Sequence, residues 1–470
     1  MEKKVNLKTN LIMSISYKIL TLFVPLLTTP YLSRVLGAEG IGTYSYEYSI
    51  AYYFMLFIML GLENYGNRTI AEVSHNKEER SRIFWEIYTV QIINAIISSV
   101  AFTIYVIFFA QNKTMGWIMF GFIVSAAIDI TWFFYGIEEI TAIVLRNLLI
   151  KLLTLVLIFT CVKQQGDIYR YALIMSISTA VSQACLWVLL KKQVYFVKIS
   201  FRSIVKHIKP LYILFIPVLA VSLYRVMDKI MLGSMTLKSE VGFYESAEKI
   251  VQLPIQVINA FGIVMMPRIT NLLSLGEEDK TFKYINSSIK GMMLISAFLS
   301  FGIMAVSNMF VPLFYGPGYE KCIGLFYILL PSSWFLAFSN VLRTQYLIPK
   351  KKDKLYIISI FCGAILNMVV NLILISKLAS IGAAIGTLCA EATVCIVQSI
   401  GIRKELPIWQ YFVTSIWCIA VGCGMYMLIK LIPISFKNNI INLLVAIIIG
   451  IIYAIPFLMF LYKKIRAEVS

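Results

Sequence analysis

Two apolar segments between Leu211 and Asn259 carry charges that hydrocarbon rejects. The first holds Arg225, Asp228 and Lys229 downstream of Leu214-Phe215-Ile216-Pro217. The second holds Glu245, Glu248, Lys249, Gln252, Gln256 and Asn259, spaced by three or four residues. That spacing puts the whole set on one helix face. Lipid offers such a stripe no partner, so it must face a protein interior or a water-filled cavity. Arginine gives a carboxylate or phosphate two parallel hydrogen bonds, so an interior richer in cations than anions suits an anionic ligand.

Further basic residues fall within apolar stretches. Lys18, Arg34, Lys290 and Arg343 lie within about two turns of a stretch end, where a long stem can snorkel to the interface. Arg146, Lys151, Arg225, Lys229 and Lys249 lie deeper. At roughly 3 kcal/mol each, together they would cost on the order of 15 kcal/mol facing lipid, as much as the stability of a typical domain. The acids at comparable depth are Glu47, Asp129, Asp228, Glu245, Glu248 and Glu391. Pairing within the protein is the competing account, since Glu245 and Lys249 are four apart and Arg225 and Asp228 three apart. Tyr44, Tyr48 and Tyr52 follow one another at i, i+4 beside Glu47, a face that suits stacking on sugars or simple packing. The expected cavity residues are Arg225, Lys229, Lys249, Arg146, Lys151 and Lys18, with Glu47, Tyr48, Asp228, Glu245, Glu248 and Gln252. Arg225 and Lys229 are expected to share a face and hold the anionic part of the ligand.

The elements that position these residues follow from composition. The chain is 59% hydrophobic and 14% charged, with a mean hydropathy of +0.81. A soluble domain carries about 25% charged residues, so the fold class is an all-α integral membrane protein. The net charge of +18 sits in short loops between apolar stretches, which argues against a nucleic-acid partner. The eight cysteines lie mostly within the stretches without a Cys-x-x-Cys. They read as packing residues rather than metal ligands or disulfides. No catalytic residue, metal site or cofactor is expected. The first apolar segment is too long for a signal-peptide core, so it is expected to stay attached.

Stretches of about 20 apolar residues predict about fourteen transmembrane helices: 10–36, 40–62, 84–109, 115–136, 139–162, 168–190, 210–232, 241–265, 286–314, 321–348, 355–376, 380–401, 408–430 and 439–462. With a cytoplasmic N-terminus, one set of loops and both termini hold about 25 of the 42 basic residues, and the opposite loops about eight. Both termini are therefore expected in the cytoplasm, with Lys350-Lys351-Lys352-Asp353-Lys354 the sharpest marker. The last two helices carry no charge between Trp409 and Ile429 or between Ile440 and Tyr462 and should face lipid.

Leu22-Phe23-Val24-Pro25 returns as Leu214-Phe215-Ile216-Pro217, Leu36-Gly37 as Leu232-Gly233, and Ile41-Gly42-Thr43-Tyr44 as Val241-Gly242-Phe243-Tyr244. An even number of helices separates the copies, so the repeats are parallel and the ligand site is expected between them. The expected organisation is an N-lobe at 1–190, a basic cytoplasmic linker at 191–209, a C-lobe at 210–401 and two additional helices at 402–470. Two parallel six-helix lobes would surround a central cavity. The linker reads either as a helix on the inner membrane surface or as a basic loop.

Thr29-Pro30-Tyr31-Leu32-Ser33-Arg34-Val35-Leu36-Gly37 followed by Gly40-Ile41-Gly42 resembles the opening of Wzx-type polysaccharide repeat-unit flippases. Asp228-Lys229-Ile230-Met231-Leu232-Gly233, then Val241-Gly242-Phe243-Tyr244, is similar to their seventh and eighth helices. The resemblance covers essentially the whole chain and extends to a superfamily shared with multidrug extruders and the lipid II flippase. It implies a flippase for undecaprenyl-diphosphate-linked oligosaccharide in the bacterial cytoplasmic membrane. Cationic cavity residues would hold the diphosphate or an acidic sugar, and a polysaccharide polymerase and assembly proteins are candidate partners. Similarity to the lipid II flippase also implies a groove for the polyprenyl tail on the last two helices. The main alternative is a multidrug or cation antiporter on the same scaffold, which should show a net acidic cavity. A membrane polymerase or ligase would need polar residues in sizeable outer loops. No such loop exceeds about ten residues, counted between helices of the length a bilayer requires, and His75 and His207 fall on the cytoplasmic side.

Overall fold

The computed structural model describes residues 7–433, 436 and 438–469, with side chains from residue 24 onward except those of 462 and 464–469. Among the described residues the chain is helical throughout, without strands. Twelve helical stretches among the described residues are long and apolar enough to cross a membrane. They correspond one to one with the third to fourteenth predicted helices. The first two predicted helices form one element, α1 (Leu7–Met59), broken only where Gly37 adopts φ 69°. A side chain at that φ is strained, and glycine avoids the strain. The second copy of the repeat is not its twin: Gly233 is helical and the chain breaks instead at Thr236.

The chain divides into two compact units, one ending at Leu219 and one beginning at Ala220. The boundary lies beyond the predicted linker. The first unit contains α1 to α7: α2 (Leu62–Glu72), α3 (Lys77–Phe108), α4 (Lys113–Ala127), α5 (Thr131–Gly136), α6 (Ile140–Cys161) and α7 (Ile168–Gln193). Asn76 opens α3, its side chain accepting from the Glu78 and Glu79 amides. The two acids complement the positive end of the helix. The predicted uninterrupted helix at 115–136 is in fact α4 and α5, parted at 128–130. Polar side chains satisfy the carbonyls that the break frees. Gln91 Nε2 donates to the Ala126 and Asp129 carbonyls at 2.8 and 2.9 Å, and Trp187 Nε1 to the Ile128 carbonyl at 2.8 Å. Irregular backbone at this depth survives only when protein supplies such partners.

The predicted linker is neither a surface helix nor a loop throughout. Residues 194–200 are non-helical, and α8 (Phe201–Arg225) then runs without interruption into the apolar segment. Its first turns are pinned within the first unit. His207, 3% exposed, meets the Glu86 carboxylate at 2.9 Å and the Tyr65 hydroxyl at 2.6 Å, and Lys206 meets Glu86 at 3.1 Å.

The second unit contains α9 (Met227–Met235), α10 (Lys238–Ser274), α11 (Glu278–Phe314), α12 (Lys321–Leu342), α13 (Asp353–Leu378), α14 (Ser380–Ile402), α15 (Ile408–Leu431) and α16 (Asn439–Val469). At about 1.5 Å per residue, the 37 residues of α10 reach about 55 Å, well beyond a hydrocarbon core of about 30 Å. Between α12 and α13, Arg343–Leu347 form one π-helical turn, a widening that often marks functional sites. α10, α12, α13 and α14 pack around a polar interior, while α15 and α16 pack on α11 and present mostly exposed apolar side chains.

Candidate functional site

The polar interior of the second unit is built where α8 stops. Val226 forms a turn (φ −116°, ψ −33°), with Arg225 ending α8 before it and Asp228 and Lys229 in the first turn of α9 after it. The i, i+3 and i, i+4 relations expected across this stretch do not form. Asp228, 1% exposed, takes no ion pair from Arg225. Its Oδ1 accepts from Asn371 Nδ2 at 2.6 Å, and its Oδ2 from Thr387 Oγ1 at 2.7 Å and the Tyr244 hydroxyl at 3.0 Å. Asn371 also donates to Asn367 Oδ1 at 3.2 Å, while Asn371 Oδ1 and Asn367 Nδ2 are buried without a partner. The result ties α9, α10, α13 and α14 together through one carboxylate and neutral donors. An oxygen-rich set of this kind can hold a proton or a small hard cation.

Lys229 is neutralised within the unit, with Nζ 2.6 Å from Glu245 Oε2 and 2.8 Å from Glu248 Oε2. Lys249 meets Glu245 at 3.5 Å, the i, i+4 pair anticipated from spacing. Arg225 has a different fate. It is exposed at the end of α8 and makes no ion pair among the described residues, its nearest opposite charges being Glu391 and Glu248. It borders a narrow cleft lined also by Tyr224, Glu248, Gln252, Ser332 and Glu391. Gln252 thus lies where its place in the polar stripe put it. Tyr224, Ser332 and Glu391 were not singled out as site residues. The available signal was Glu391, the lone charge in the 380–401 stretch.

The remaining candidates lie in the first unit. Arg146 donates to the Ser182 carbonyl at 3.0 Å, to Gln183 Oε1 at 2.9 Å and to Asn147 Oδ1 at 2.8 Å. Gln183 passes the contact on to Asp129 Oδ2 at 2.9 Å. Lys151 is half-buried on α6. Glu47 is 2% exposed. Tyr48 stacks on Tyr44 at 5.9 Å and edges onto Phe122 at 5.0 Å, so both tyrosines belong to the packed core of this unit. The Lys18 side chain lies outside the described residues. No cluster of three or more His, Cys, Asp or Glu converges among the described residues.

A second depression lies between α11, α15 and α16. Leu294, Trp417, Phe457 and Phe460 line it, with one cation among the described residues, Lys290.

The chain is similar to known proteins in sequence and in fold. The chain is 25% identical over 402 residues to a putative O-antigen transporter of Escherichia coli (strain K12), covering 84% of this chain and 96% of that one. It is 22% identical over 247 residues to a probable low-salt glycan biosynthesis flippase of Haloferax volcanii, about half of each chain. The fold is similar to that of the lipid II flippase MurJ in an inward closed conformation, with a TM-score of 0.75 over 97% of this chain and 99% of that one at 14% identity. An outward-facing multidrug resistance transporter gives a TM-score of 0.50 over 87% of this chain and 95% of that one at 16% identity. Residues 7–273 match the model of the polysaccharide biosynthesis protein family, and the chain belongs to that family.

Proposed function

We propose that the protein is a flippase moving undecaprenyl-diphosphate-linked oligosaccharide across a bacterial cytoplasmic membrane, for assembly of a surface polysaccharide such as capsule, exopolysaccharide or O-antigen. The family supports this, as do relatives named as an O-antigen transporter and a glycan flippase. It is a transporter rather than an enzyme. The observation that carries the chemistry is Arg225, an arginine at the end of an apolar helix that makes no ion pair among the described residues. A guanidinium held this way forms paired, charge-assisted hydrogen bonds with a phosphate. Alternating access moves the bound headgroup from the inner to the outer leaflet. The apolar depression on α11, α15 and α16 takes the polyprenyl tail, and both termini are cytoplasmic. The surface-polysaccharide polymerase and assembly proteins receive the product.

Reconstituted vesicles test the reading. The wild-type protein should expose a polyprenyl-diphosphate oligosaccharide to an added lectin on the far leaflet. Arg225→Gln should slow this at least about tenfold, the value of one charged hydrogen bond, while expressing normally. Wild-type rate in a well-folded Arg225→Gln protein would end the proposal. Export of a cationic dye without lipid transfer would favour the antiporter.

A further inference from the structure

The cleft of the second unit contains a carboxylate that the protein leaves without a partner. Glu391 is 7% exposed and lies midway along α14, lining the same cleft as Arg225. Among the described residues no hydrogen-bond donor reaches it, and Arg225 and Arg343 influence it only from beyond ion-pair distance.

Other acids in this unit show that the fold can satisfy a carboxylate when it uses one for structure. Asp228 collects three neutral donors. Glu240 collects Lys321 Nζ together with the Ser380 amide and hydroxyl. A buried charge with no donors is costly, so the donors for Glu391 come from outside the chain.

The surroundings specify what kind of donors. Two arginines lie nearby, Arg225 and Arg343, and they disfavour an ammonium ligand. Of the other polar groups at the cleft, Glu248 is taken up by Lys229, and those of Tyr224, Gln252, Ser332 and Thr387 are neutral and both donate and accept. Neutral groups of that type around one carboxylate match the hydroxyls of a sugar ring. Arg225, on the same cleft, is the phosphate contact of the proposed function, on which this step rests. We infer that Glu391 accepts hydrogen bonds from hydroxyls of the sugar attached directly to the diphosphate. The cleft thereby distinguishes a glycan-loaded lipid from the bare carrier. Arg225 holds either lipid by its phosphate, and Glu391 adds affinity only when a sugar is present.

The experiment uses the full-length protein in nanodiscs and two probes, undecaprenyl diphosphate and the same lipid carrying one hexose. Glu391→Gln should bind the hexose-bearing lipid about tenfold more weakly and the bare lipid unchanged. Arg225→Gln should weaken both. Equal losses on both lipids in Glu391→Gln, or no loss on either, overturn the inference. So does a lower melting temperature for Glu391→Gln, because a carboxylate held structurally between arginines would be missed by the fold. If the wild-type protein binds neither lipid, the flippase reading itself fails, and the inference with it.

Discussion

Arg225 and Lys229 have the same charge and nearly the same depth, yet one is spent within the fold and the other is not. The difference arises at Val226, where the helix breaks and turns Lys229 toward Glu245 and Glu248 on α10. Helical spacing anticipated the Glu245–Lys249 pair because α10 runs unbroken through both residues. It failed for Arg225 and Asp228 because they sit on different helices. The nearest acids left to Arg225 are Glu391 and Glu248, and a double change separates ligand contact from internal pairing with Glu391. If Arg225 and Glu391 served only each other, Arg225→Gln with Glu391→Gln would restore transport, since no lone buried charge would remain. With both contacting cargo, the double variant should transport no better than Arg225→Gln alone. A lectin-accessibility assay on equal amounts of folded protein decides it.

The elements are held by close approaches that tolerate little change. A Cβ on Gly382 would lie 2.5 Å from the Leu374 carbonyl oxygen and 2.8 Å from the Ile375 amide, so the neighbour that must move is backbone rather than a flexible side chain. Gly382→Ala should therefore destabilise the α13–α14 pair by about 1–3 kcal/mol, read as a fall in melting temperature in detergent. A second fastening lies outside the apolar stretches, where Glu405 accepts from both Lys352 and Tyr346. The Lys352 ammonium, with the Tyr346 hydroxyl, holds the Glu405 carboxyl below its ordinary range. A carboxylate with a lowered folded pKa stabilises above its unfolded value of about 4.3. That contribution is lost as pH falls through the folded value. Between pH 5 and pH 3 the melting temperature of the wild-type protein should fall more than that of Glu405→Gln. Parallel curves for the two would remove the clasp from the account.

At the scale of the molecule, the proposed orientation in the membrane rests on the excess of basic residues in one set of loops. The run at 350–354 lies between the π-helical turn and α13 and enters the first turn of α13, so its accessibility reports the side on which that corner lies. Lys351→Cys should be labelled by a membrane-impermeant maleimide only after the inner face is opened. Labelling in intact cells would invert the topology.

The all-helical, membrane-spanning character and the place of the third to fourteenth apolar stretches were legible from the sequence alone, because a bilayer demands about 20 apolar residues per crossing whatever the tertiary context. The same rule placed polar residues of the 225–259 segment inside the fold. The sequence did not reveal the break at 128–130, since the groups that permit it, Gln91 and Trp187, come from helices distant in the chain. Nor could spacing tell which charges would be neutralised. Lys229 and Asp228 find partners on neighbouring helices, while Arg225 and Glu391 are left facing a cleft, and the position of each partner depends on how the helices pack. Local periodicity determines which face of a helix is polar, and only packing across helices decides what that face meets.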